Sequence, residues 1–261
     1  MMEKLMTPIL IGAVTLLGVL VLSYYNYSDS PMNPAGLSPR YSIPPIDASA
    51  PTEVETATFA LGCFWGPDAL FGSTPGVVRT RVGYAGGRKE NPTYHALGGH
   101  TETVQIDYYP AKISYRELLN IFWKNHEPNY QSWSQQYKSV IFYHNEEQKQ
   151  LASETKVERE VELNKTLYTE IRSFTKFYIA EGYHQKFRLQ REKELMKEFE
   201  AMYPEMSAFI DSTAAARVNG YIAGYGDPSV LQDELSGLGL TEKAGEYLIE
   251  TFNERKGNRY C

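Results

Sequence analysis

One thiol carries most of the chemical signal in this sequence. Cys63 is one of two cysteines in 261 residues, and it stands in Ala60-Leu61-Gly62-Cys63-Phe64-Trp65-Gly66. The glycines let the backbone turn sharply and let another molecule come close. The aromatics set a flat apolar wall beside a soft nucleophile. A strand end just before a helix is the expected setting for Cys63. Unpaired N–H groups at a helix amino end favour a thiolate there. The alternative is a buried structural cysteine, against which Gly62 and Gly66 stand as poor packing neighbours.

Three further sets of residues bear on that chemistry. Glu102 has the same parity as Val104, Ile106 and Tyr108 in an alternating run, so it heads the face expected to be buried. A carboxyl in an apolar setting holds its proton to higher pH and can act as a general acid. The alternative is a solvated residue at a frayed strand end. Tyr94, in Asn91-Pro92-Thr93-Tyr94, and Tyr137, in Gln136-Tyr137-Lys138-Ser139, are phenols able to donate to a developing oxyanion. With 20 tyrosines in the chain, neither stands out by type alone. The five histidines give no metal pattern. His95 and His100 lack a cysteine or carboxylate at ligand spacing, and no metal is expected. His184 reads as a hydrogen-bonded structural residue.

The elements that must position these groups are mixed. Thr56 to Gly62 reads as a buried strand running into Cys63, and Pro67 to Ser73 as a helix with proline in its first turn. Val77 to Tyr84, Glu102 to Tyr108, Ser139 to Tyr143 and Thr175 to Ala180 read as strands. Ser114-Tyr115-Arg116-Glu117 is a capping box opening a helix to about Asn125, and Asn145 caps a helix from Glu146 to about Leu163. A further helix is expected from Gly182 to Glu200. The irregular alternation predicts an α+β two-layer sandwich. Its sheet is mixed and mostly antiparallel, ferredoxin-like, with a helical C-terminal extension. No Gly-x-Gly-x-x-Gly turn follows the first strand, which disfavours a dinucleotide fold.

The net charge of −6 is spread without a basic stripe, which excludes an obvious nucleic-acid binder. Residues 1–27 read as a membrane anchor or signal segment: Thr7 to Tyr25 carries no charge, and Ile9 to Leu22 is almost wholly aliphatic. No small-x-small cleavage site follows Leu22, so an uncleaved anchor is favoured over a cleaved signal. Residues 28–52, with six prolines between Pro31 and Pro51, read as a linker. Residues 53–200 are expected to form the catalytic domain and 201–261 the extension. The domain is expected on the luminal or extracellular side, in line with the sequons at Asn26 and Asn164.

Eight strings in order, Gly62-Cys63-Phe64-Trp65-Gly66, Pro75-Gly76-Val77, Gly83-Tyr84-Ala85-Gly86-Gly87, Asn91-Pro92-Thr93-Tyr94, Gly99-His100-Thr101-Glu102, Phe122-Trp123-Lys124-Asn125-His126-Glu127-Pro128, Gln136-Tyr137-Lys138-Ser139 and Ala180-Glu181-Gly182-Tyr183-His184-Gln185, run through residues 56–190. With them the chain resembles the A-type peptide methionine sulfoxide reductases. The resemblance implies that Cys63 attacks the sulfoxide sulfur and that Glu102 protonates its oxygen. It implies that Tyr94 and Tyr137 hold that oxygen, and that Phe64 and Trp65 receive the methyl group. The thiol then becomes a sulfenic acid, captured by a second thiol as a disulfide. Thioredoxin or a similar dithiol resets the enzyme, and no metal or organic cofactor is needed.

Two positions depart from the family pattern. Many members carry an aspartate where this chain has Ser132, and many carry a resolving cysteine soon after the His-Gln pair. Here none follows until Cys261. The tail resembles a eukaryotic branch in which a terminal cysteine resolves the sulfenic acid, so Cys261 is the expected resolving thiol. Two other readings compete: a degenerate copy that binds methionine-rich or oxidised proteins without turnover, and a cysteine hydrolase, which would need a histidine base near Cys63.

Overall fold

The structure, a computed structural model, describes residues 42–256. The expected anchor (residues 1–27) and Cys261 lie outside the described residues. So does most of the expected linker.

Six strands form one sheet: β1 (Glu55–Leu61), β2 (Val77–Ala85), β3 (Thr101–Tyr108), β4 (Ser139–Tyr143), β5 (Glu170–Ser173) and β6 (Phe177–Ile179), in the order β5-β4-β1-β3-β2-β6. All neighbours are antiparallel except β4 and β5. A short helix, α1 (Pro45–Ala48), precedes the sheet. The helices between the strands are α2 (Trp65–Gly72), α3 (Tyr115–Lys124) and α4 (Glu146–Leu163). Strands β1 to β4 with α2 and α3 make the expected ferredoxin-like β-α-β-β-α-β unit.

Local chemistry explains the elements. Ser114 and Glu117 cap each other's backbone groups at the start of α3, and the Asn145 side chain accepts from Gln148 N at 2.8 Å to start α4. Ala57 and Phe59 of β1, Val104 and Ile106 of β3, and Ile141 of β4 face Phe71 of α2 and Leu118, Leu119 and Phe122 of α3 in one core. Sheet alternation puts Thr103 and Asp107 on the other face, and both are buried too. That face is polar rather than wet: Asp107 is bound by Thr56, Arg79 and Arg81.

The C-terminal helices are α5 (Lys193–Met202), α6 (Met206–Asp211), α7 (Thr213–Ile222), α8 (Pro228–Glu234) and α9 (Glu242–Arg255). They build their own core around Phe199, Val218, Tyr221, Leu248 and Phe252. All ten residues of α7 are buried. It meets α2 backbone to backbone: a Cβ on Gly72 would stand 2.5 Å from Ala216 O, and one on Gly220 would stand 2.5 Å from Ala69 O. Arg217 closes the contact by donating to the carbonyls of Gly72 and Val77. The extension is thus packed on the helix that follows Cys63.

Three expectations need correction. The linker does not run to residue 52: α1 lies within it, and its Asp47 carboxylate accepts from Ala214 N at 3.0 Å and from Ser212 Oγ at 2.7 Å. Asp47 thereby caps α7 from far away in sequence. The strand expected over 175–180 is confined to Phe177–Ile179. The helix expected over 182–200 starts only at Lys193, after two short 3-10 turns. Lys186, at φ +47°, breaks it because its backbone and ammonium are drawn to Asp68.

Candidate active site

The site is built at the carboxyl end of β1. Gly62, at φ +96°, turns the chain after Leu61 in a conformation that L side chains rarely adopt. Cys63 follows, half-buried, and Phe64 is the N-cap of α2 with no side-chain cap. The thiol therefore sits at the positive end of the helix, as expected from sequence.

Glu102 reaches this turn from β3. It is 1% exposed, so the solvated reading fails. One carboxylate oxygen accepts from Phe64 N at 3.0 Å, the other from Gln136 Nε2 at 2.6 Å. Burial pushes its pKa above the usual carboxylate range, and these two hydrogen bonds only partly offset that. A proton is therefore held more tightly than on a solvated glutamate.

Tyr137 lies in a 3-10 turn, Gln135–Tyr137, just before β4. Burial, the nearby Glu102 carboxylate, a hydrogen bond to Tyr94 and the proximity of Cys63 push its pKa up to about 12. Four expected groups, Cys63, Glu102, Tyr94 and Tyr137, thus meet in one place. Tyr137 therefore keeps its proton to donate to an oxygen, with the Tyr94 hydroxyl beside it.

Trp65 is half-buried, its ring stacked on Phe187 with centroids 3.7 Å apart and planes 4° apart. Its indole N–H donates to His184 Nδ1 at 3.2 Å. Phe64 is 1% exposed and packs with Val82, Tyr84 and Ala180. Of the two expected wall residues, Trp65 is therefore the one with open surface.

Several further groups position these side chains. Glu181 accepts from Tyr94 N at 3.0 Å and from Tyr84 Oη at 2.8 Å, which fixes the Tyr94 loop against β2. Gln185 spans the Val82 backbone and the Ala180 carbonyl. His184 is buried among the rings of Phe64, Trp65 and Tyr94, and burial lowers its pKa. With Nδ1 occupied by Trp65, it serves as the structural residue expected. Ser132 bonds within its own loop, to Ser134, and Gln136 instead holds the second oxygen of Glu102. Periodicity gives no signal for these residues; Glu181, His184, Gln185 and Gln136 show in the sequence only as members of the family strings. Among the described residues, no cluster of histidine, cysteine and carboxylate could hold a metal ion.

The family described as peptide methionine sulfoxide reductase matches residues 55–217 of this chain. The chain belongs to that family. A peptide methionine sulfoxide reductase of Drosophila melanogaster is 44% identical over 209 residues, covering 79% of this chain and 84% of the relative. The peptide methionine sulfoxide reductase MsrA of Methanosarcina acetivorans is 45% identical over 145 residues, covering 51% of this chain and 77% of its own. The crystal structure of Mxr1 from Saccharomyces cerevisiae in reduced form aligns with a TM-score of 0.51 at 27% identity, covering 55% of this chain and 88% of that one. As a family member the chain is a thiol oxidoreductase acting on methionine sulfoxide. Nothing in these comparisons supports a non-catalytic binding module.

Proposed function

We propose that the reductase works through Cys63 on the S epimer of methionine sulfoxide, free or within proteins. The single observation that carries the assignment is the meeting of Glu102, Tyr94 and Tyr137 beside Cys63. The Cys63 sulfur attacks the sulfoxide sulfur while Glu102 gives its proton to the oxygen. Tyr94 and Tyr137 donate hydrogen bonds to that oxygen as negative charge grows on it. The protonated oxygen then passes from the methionine sulfur to the Cys63 sulfur as the S–S and S–O bonds at the methionine sulfur break, so methionine leaves reduced and Cys63 is left as a sulfenic acid. Trp65 offers the apolar surface for the methyl group, with Phe64 behind it. No cofactor takes part in these steps.

The Cys261 thiol then attacks the Cys63 sulfur, water leaves, and a disulfide forms. An external dithiol of the thioredoxin type returns both thiols by exchange. The absence of any other cysteine supports this pairing. The charge-free, aliphatic stretch before residue 26 supports membrane attachment, with the catalytic domain luminal or extracellular. Among the described residues no helix is long and apolar enough to cross a membrane. Asn164 is exposed, in a left-handed turn closing α4, where a glycan would be accommodated. A glycosidase-sensitive mass that disappears with Asn164→Gln tests the topology.

Reduction of a methionine S-sulfoxide by dithiothreitol tests the chemistry. Cys63→Ser is expected to abolish it, and turnover by that variant would overturn the assignment. Cys261→Ser is expected to complete one turnover but to stop recycling by thioredoxin. Unchanged steady turnover would remove Cys261 from the cycle.

A further inference from the structure

A bare aromatic surface adjoins the site on its β4–β5 side. Trp133 is 86% exposed, Tyr130 60% and Tyr168 52%. Yet the segment that carries Trp133 is tightly held. Tyr168 N donates to Pro128 O at 2.7 Å, Tyr137 N to Ser134 O at 3.2 Å, and Thr101 Oγ1 to Gln135 O at 2.9 Å. Ser132 Oγ accepts from Ser134 N and donates to Ser134 O. The indole is therefore displayed on an ordered loop rather than at a loose tip. An ordered aromatic anchor loses little entropy when it is covered.

Between Tyr130 and Tyr168 lies a depression of about 170 Å³ lined also by Ser132, Lys138, Ser139 and Glu170, and Trp133 stands on the loop that supplies Tyr130 and Ser132 to it. Lys138 and Glu170 neutralise each other across it at 2.8 Å. With those charges paired, an uncharged side chain matches the depression better than a charged one, and the two tyrosine rings suit an aromatic one. The same segment reaches the catalytic site: Gln136, three positions after Trp133, donates to the Glu102 carboxylate at 2.6 Å. Leu61, ahead of Cys63, pairs with Ser139 of β4, and Val140 pairs with Glu170 of β5. The depression thus lies two strand spacings from the β1 end, about 10 Å away. An extended peptide covers that distance in about three residues, at roughly 3.3 Å each.

We propose that Trp133, with Tyr130 and Tyr168, forms a docking surface for extended segments of oxidised polypeptides, seating an aromatic or large apolar residue about three positions from the methionine sulfoxide. Any polypeptide that delivers its sulfoxide to Cys63 must lay its flanking residues across the neighbouring surface. The free amino acid has no such residues. The surface therefore separates protein substrates from free methionine sulfoxide. This inference rests on the reductase chemistry proposed above.

The test uses the full chain with dithiothreitol as reductant and, in a parallel series, thioredoxin. The substrates are free methionine S-sulfoxide and capped seven-residue peptides with a central methionine S-sulfoxide. Either phenylalanine or alanine stands three positions away, on each side in turn. The phenylalanine peptide is expected to have about a tenfold higher kcat/KM on one of the two sides. Trp133→Ala is expected to erase that preference and to leave kcat/KM for the free amino acid within about twofold. Tyr168→Ala should weaken the same preference in part. An equal rate for both peptides with wild-type protein would overturn the proposal. So would an equal loss on free and peptide substrates in Trp133→Ala, or a loss confined to thioredoxin-supported turnover, which would make the surface a reductant dock. Absence of wild-type activity on the free S-sulfoxide would overturn the reductase chemistry itself.

Discussion

Two buried carboxylates flank helix α2, and they have opposite surroundings. Glu102 touches the amino end of the helix and accepts two hydrogen bonds, from Phe64 N and Gln136. Asp68, in the first turn, accepts from Thr80 Oγ1, Lys186 N, Asn219 Nδ2 and the Lys186 ammonium. No charge opposes Glu102 among those partners, whereas Asp68 pairs with a cation that is itself 0% exposed. Burial with few donors favours a protonated acid. Burial with a full set of donors makes a fixed strut. The same kind of group is thus set up for proton transfer on one side of the helix and for rigidity on the other.

Exchanging the charge on Glu102 tests the reactive side, and the largest effect is expected there. Glu102→Gln keeps the shape and a donor but has no acidic proton, so kcat/KM for the sulfoxide should fall about 10²–10⁴-fold. The urea midpoint should move little. A large stability change with intact activity would reverse the roles assigned to the two carboxylates.

On the other side, Asp68→Ala strands the Lys186 ammonium in the interior. Burial already pushes the Lys186 pKa down, held against that by Asp68. A loss of about 3–5 kcal/mol in unfolding free energy is expected. The double variant with Lys186→Met should recover much of it. An unchanged denaturation midpoint in Asp68→Ala would show that the pair is no strut.

The smallest effect sharpens the contrast. Gln136→Ala removes a donor to the charged form of Glu102, so the Glu102 pKa should rise further. An acid that keeps its proton longer works to higher pH. The alkaline limb of the kcat/KM profile should therefore shift upward in pH, with a modest change at neutral pH. A downward shift would mean that Gln136 does not act on Glu102.

The reactive side is the more legible one in the sequence. Cys63 stands out by rarity and by its glycines. Glu102 shows through the parity of a strand whose apolar residues alternate. Asp68 and Lys186 stay hidden, because a long-range polar network has no period. Lys186 looks like an ordinary charge in a helix expected over 182–200. That helix breaks because tertiary bonds to Asp68 outweigh local propensity. Strand β5, Glu170–Ser173, is hidden because its residues lack apolar alternation. Helix α1 is hidden because a proline-rich stretch reads as extended chain, and the distant Asp47 contacts hold it in place.

The Asp47 cap also sets an order of events during synthesis. The carboxylate waits for Ala214, which is 167 positions later in the chain. Arg217 meets Gly72 across 145 positions. While the ribosome is still making the sheet, the seat for Asp47 does not exist, and α2 lacks the helix that covers it. Contacts of such long range form late because the closing loop is large. A nascent chain arrested before α7 emerges would hold Cys63 on an uncovered helix. Completion of α7 is the moment at which the earliest helix finds its seat and the thiol's support is sealed.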